Sequence, residues 1–188
     1  MVSVKNCIIK KSSMLGECSW YKSAWLWVEC YMYRRIAGAV SLVPQLQGLD
    51  YFRVMKEEGF YSSLSSIRLL TRWLLDPARD MTSKNNLSAT FSTLVYVCLW
   101  GNKCDLSISA GSKQAASGDP VEAVEGLREN VLVDQVAEIW DTLERAEGGA
   151  LVDVVMDNSG FELFTDLCLA DFLVTSGIAK QVLFIEGG

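Results

Sequence analysis

Leu151-Val-Asp-Val-Val-Met156, followed directly by Asp157-Asn158-Ser159-Gly160-Phe161-Glu162, is a short valine-rich run that stops against polar residues. With Gly148 and Gly149 ahead of it, such a run suits a parallel strand buried on both faces. Ser159 and Glu162 have the spacing of a capping box, and Leu163, Phe164, Leu167, Cys168 and Ala170 carry a helix onward until Gly177 can end it. Gln181 to Ile185 then reads as a second apolar strand. Strand, helix and strand over this length predict a right-handed parallel crossover.

Upstream, the hydrophobic period is that of helices. Trp20 to Val40 places Ala24, Val28, Tyr31, Met32, Ile36 and Ala39 along one buried face. Tyr61 to Leu75 repeats the pattern through Leu64, Ile67, Leu70 and Leu74, and Pro77 marks its end. Leu87 to Trp100 is a further helical stretch. Asp134 can cap another that runs to about Glu147, with Val136, Ile139, Trp140 and Leu143 inward. Ser107 to Pro120 is Ser, Gly, Ala and Lys without periodicity, the composition of a loop. The expected fold class is therefore α/β: a helical region over 1–106, a flexible loop over 107–120, and over 121–188 the first β-α-β unit of a Rossmann-like parallel-sheet domain. Two strands are fewer than such a sheet normally has, so this domain is expected to be truncated.

Half of the 188 residues are hydrophobic, enough to build a core and contrary to global disorder. A formal net charge of −6 offers no broad attraction for phosphate backbones or anionic lipid, so neither nucleic acid nor a membrane is the expected partner. Histidine is absent, which excludes imidazole zinc sites and Ser-His or Cys-His dyads within this sequence. The six cysteines lack the spacing of a zinc knuckle or a redox pair and read as free thiols. No stretch has the length and apolarity of a signal peptide or membrane span, so the expectation is a soluble protein of the cytoplasm or nucleus. Any metal must be held by oxygen.

In open α/β sheets, ligands bind at the carboxyl ends of strands, beside the amino ends of the following helices. Asp157 and Asn158 occupy that position. A carboxylate and an amide carbonyl are hard oxygen ligands for a divalent cation, and amides at the start of the next helix can accept a phosphate. The same Asp-Asn-Ser-Gly string is also a good turn and helix cap, and on this dipeptide alone that reading stands ahead of a ligand site.

Three segments carry a family resemblance. Val155-Met-Asp-Asn-Ser-Gly-Phe-Glu-Leu-Phe-Thr-Asp-Leu-Cys-Leu-Ala-Asp-Phe-Leu173 resembles the signature of the metal-dependent damage-control phosphatases, also described as protein-glutamate O-methyltransferases. Trp25-Leu-Trp-Val-Glu-Cys-Tyr-Met-Tyr-Arg-Arg-Ile36 and Leu99-Trp-Gly-Asn-Lys-Cys-Asp-Leu-Ser107 resemble two further segments of that family, in the family's order. The similarity runs from Trp20 to Phe184, diverges near 107–120, and leaves out Met1 to Ser19. It implies that Asp157 and Asn158 ligate a divalent metal such as Mn2+, Co2+ or Ni2+, which holds and polarises a small phosphorylated metabolite such as fructose 1-phosphate. Glu162 matches the motif glutamate and would orient a ligand or water, with the capping box as the alternative. Asn102 and Asp105 would line the same pocket. Glu29, Arg34 and Arg35 are expected to form a structural ion pair, and Asp166 and Asp171 to be solvated helix charges or local caps.

The sequence also departs from that pattern. The family supplies another metal-ligating aspartate after the second strand, then a Gly-Asp-x-Asn-Tyr segment and a phosphate-binding lysine, whereas here Glu186-Gly187-Gly188 follows. Glu186 lies too close to the strand to serve as that ligand, so the 188 residues are expected to be inactive alone. An aspartyl-nucleophile phosphatase is a weaker reading, because Ser159 stands where that chemistry needs a second acid. Methyl transfer from S-adenosylmethionine rests on the resemblance only, since Gly160 alone is no glycine-rich turn. From another class comes a non-catalytic splice product or gene fragment acting as a binding module.

Overall fold

The computed structural model describes residues 19–101, 119–156 and 158–186. The chain groups into two compact units, 1–51 and 52–188. In the first, helix α1 spans Trp25–Ser41 and a single 3-10 turn follows at Pro44–Leu46. The helical period is realised, but its expected buried face is not: no residue of α1 is buried, and Trp25 is 73% exposed.

The second unit begins with α2 (Arg53–Ser62) and α3 (Leu64–Leu74). The periodicity from Tyr61 captures α3 and misses α2. The hinge is Ser63, whose hydroxyl donates to the Gly59 carbonyl, an alternative bond that Ser offers where one helix gives way to the next. α4 (Lys84–Gly101) is the central helix, burying Phe91, Leu94, Tyr96 and Val97. α5 (Pro120–Glu125) follows an Asp119 cap, with Asp119 accepting from the Val121 amide. α6 (Val136–Glu144) is shorter than its expected reach. Asp134 does accept from the Val136 amide at 3.2 Å, and Val136 and Trp140 turn inward, whereas Ile139 is exposed rather than packed.

β1 (Ala150–Met156), α7 (Phe161–Thr175) and β2 (Ala179–Glu186) complete the unit. β1 and β2 pair in parallel as a two-stranded sheet, with Val152 opposite Val182 and Val155 opposite Ile185. Gly149 enters β1 at φ +89, and a Cβ there would stand 3.0 Å from the Lys180 nitrogen, so only glycine fits the strand entry. The α/β class and the parallel crossover hold. Burial on both faces does not, because Leu151 (73% exposed) and Val155 (68%) alternate with half-buried Val152 and Val154. The core lies on the helical side, where Leu70, Phe91, Leu94, Trp140, Phe161, Phe172 and Leu173 form one cluster. Among the described residues no helix is long and apolar enough to cross a membrane.

Candidate metal and phosphate site

β1 ends at Met156, and the chain must turn within a few residues to start α7 at Phe161. Gly160 makes that turn at φ +68, ψ −129, a region closed to side-chain-bearing residues, and it occupies the cap position itself. The capping box expected from Ser159 and Glu162 is thereby replaced: no side chain bonds to the first turn from the cap. Glu162 turns instead to Asn158, whose Nδ2 donates to Glu162 Oε2 at 3.0 Å. Asn158 is half-buried at the carboxyl end of β1, the place where an open α/β sheet binds ligands.

The carboxyl end of α4 closes on the same turn. A Cβ at Gly101 would lie 3.2 Å from the Glu162 Cα and 3.2 Å from Thr165 Oγ1, tighter than ordinary contact. Thr165 is fully buried, and its hydroxyl donates to the Glu162 carbonyl at 2.7 Å. One turn along, Cys98 of α4 meets Asp166 of α7. Burial pushes the Cys98 thiol well above its ordinary value, with the Asp166 charge adding to the effect. Burial also raises the Asp166 carboxyl, which corrects the expectation of a solvated charge. Asp171 is exposed, as expected.

Asp157, Asn102, Asp105 and Cys104 lie outside the described residues. Glu29, Arg34 and Arg35 belong to the first unit. Among the described residues they form no ion pair: Glu29 accepts from the Tyr33 hydroxyl at 3.2 Å, and Arg35 donates to the Tyr31 oxygen at 3.4 Å. Tyrosines one turn away supply the partners the arginines were expected to be. Glu186 is the last residue of β2, in register with Met156. Gly101 carries no signal of its own in the hydrophobic period, and its close approach to Glu162 comes from the packing of α4 on α7.

Oxygen atoms from Asn158 and Glu162 match a hard divalent cation in kind. Among the described residues no group of three or more acidic, Cys or His side chains surrounds a common point. A solvent-open depression of about 350 Å3, lined by Asp76, Arg79, Asp80, Asn86 and Thr90, lies at the turn between α3 and α4 and includes none of these residues.

Comparison with known proteins finds the family whose motifs the sequence resembles. The model of the damage-control phosphatase ARMT1-like domain matches residues 3–186, so the stretch before Trp20 that the motifs left out falls inside the matched region as well. Damage-control phosphatase ARMT1 of Danio rerio is 42% identical over 175 residues, covering 88% of this chain and 39% of that protein. The Rattus norvegicus protein of that name is 42% identical over 176 residues, 90% of this chain and 40% of its own length. The Homo sapiens protein is 39% identical over 177 residues, again 90% of this chain and 40% of the relative. The chain thus spans about two fifths of the length of the curated relatives it matches. With the family model matched over residues 3–186 and relatives about 40% identical over about nine tenths of the chain, the chain belongs to the damage-control phosphatase ARMT1-like family.

Proposed function

We propose that this chain carries the Asp157–Asn158 part of a divalent-metal site that hydrolyses small phosphorylated metabolites, fructose 1-phosphate among them. The observation that carries the reading is the placement of Asn158 at the carboxyl end of β1, half-buried and hydrogen-bonded through its amide nitrogen to Glu162. Asp157, its neighbour in sequence, is the charged ligand, and Mn2+, Co2+ or Ni2+ suits the pair. A bound cation would polarise the phosphoryl group of the substrate. Asn102 directly follows Gly101, which stands against Glu162, and this supports assigning Asn102 and Asp105 to the same pocket. The net charge of −6 favours a small metabolite held through a metal over a nucleic acid. Asp157 and Asn158 would supply two of the six or more oxygens that such a cation takes.

The test fuses this chain in frame to the complementary carboxyl-terminal part of a relative and follows Mn2+-dependent phosphate release from fructose 1-phosphate. Asp157→Ala is expected to abolish release with the circular dichroism spectrum unchanged, and undiminished turnover overturns the assignment. A fusion that binds a partner protein but never hydrolyses substrate would support a non-catalytic module instead.

A further inference from the structure

We propose that Glu162 is a positioning residue: it sets the orientation of the Asn158 carboxamide, and Gly101 is the contact that holds Glu162 in place. The consequence for metal binding rests on the reading above, while the orientation itself does not. A carboxylate only accepts hydrogen bonds, so Glu162 Oε2 at 3.0 Å selects the nitrogen end of the Asn158 amide. The opposite rotamer would set two acceptor oxygens against each other. Asn158 Oδ1 is therefore the end directed away from Glu162.

The glutamate is in turn fixed from behind. Its Cα would stand 3.2 Å from a Cβ on Gly101, so the end of α4 seats directly on the first turn of α7 with no room for a side chain. Thr165, buried in that contact, donates to the Glu162 carbonyl at 2.7 Å and ties the turn to the core. Glu162 also lies in the first turn of α7. An amide locked in this way presents its carbonyl oxygen without the cost of ordering it at the moment of binding, the usual role of a hydrogen-bonded partner behind a metal ligand.

The experiment uses the 188-residue chain and two readouts. In the metal-free protein, the side-chain amide resonances of Asn158, assigned by their loss in Asn158→Asp, report whether the amide is held. Binding of Mn2+ is followed by electron paramagnetic resonance. Glu162→Ala is expected to collapse the Asn158 amide signals to solvent-exposed values and to weaken Mn2+ binding by about 10–100-fold. Glu162→Gln, whose amide oxygen can still accept from Asn158, is expected to rescue both. Gly101→Ala, which pushes on the Glu162 backbone, is expected to move the signals in the same direction as Glu162→Ala. Asn158 signals indifferent to Glu162→Ala overturn the positioning role whatever the metal does. Glu162→Gln as weak for Mn2+ as Glu162→Ala, with the amide signals retained, also overturns it, because the carboxylate charge would then act directly. Signals that depend on Glu162 in a chain that binds no Mn2+ uphold the positioning role, whereas Mn2+ binding absent from the fusion as well refutes the metal reading.

Discussion

The hydroxyl of Tyr96 on α4 donates to Oδ2 of Asp134 at 2.5 Å, and the other carboxylate oxygen accepts from the Val136 amide that opens α6. One side chain thus holds the first amide of one helix and ties it to the central helix. The Arg128 guanidinium lies 4.5 Å over the Tyr96 ring and draws the same corner together. The Tyr96 bond, then the Val136 bond, hold the Asp134 carboxyl below its ordinary value.

A depressed carboxylate pKa contributes stability that is present above the unfolded value of about 3.9 and is lost as pH falls through the folded value. Asp134→Asn is therefore expected to lower the thermal midpoint at neutral pH. The gap from wild type should close as the acid range is reached. Melting curves at a series of pH values check this, and a gap that widens toward acid would contradict it.

Phe91 is 2% exposed, and its ring centroid lies 5.3 Å from that of Trp140, joining α4 to α6. Truncating a large aromatic at such a position removes its transfer energy and leaves a cavity. Phe91→Ala should cost about 3–5 kcal/mol, close to the whole stability of many domains. Denaturant titration measures it, and a loss below about 1 kcal/mol would show that this contact is not central to the core.

The sheet carries a second, open face on which Leu151, Val155, Leu183 and Ile185 are 73%, 68%, 49% and 44% exposed. Apolar surface of this kind beside a two-stranded sheet favours self-association. Leu151→Lys with Leu183→Lys should lower concentration-dependent light scattering and leave the melting midpoint nearly unchanged, because neither side chain is in the core. Scattering that persists in the double variant would place the sticky surface elsewhere.

Cys30, Cys98 and Cys168 are free thiols that differ in exposure. Burial raises the Cys98 thiol strongly and pushes Cys168 up to about 11, so both stay protonated near neutral pH. Because the thiolate is the reacting species, iodoacetamide at about pH 8.5 should modify exposed Cys30 first and reach Cys98 and Cys168 only with unfolding. Mass spectrometry of the labelled peptides reads the order. Early labelling of Cys98 would show that the α4–α7 contact opens in solution.

The strand-helix-strand at 150–186, four of the upstream helices and the strand-end position of Asn158 were legible in the residues, because hydrophobic period and glycine punctuation are short-range signals. The family was legible for a similar reason, since its motifs are contiguous strings. What the tertiary structure decided depends on residues far apart in sequence. Gly101 meets Glu162 because α4 packs on α7, and no periodicity reports that distance. Asn158 takes Glu162 as its partner because the Gly160 backbone occupies the cap that Ser159 was expected to fill, and a positive φ is invisible in a motif that only spaces side chains. The open face of β1 and the half-buried Asp166 follow from which surfaces the other elements cover, a matter of packing that composition leaves undetermined.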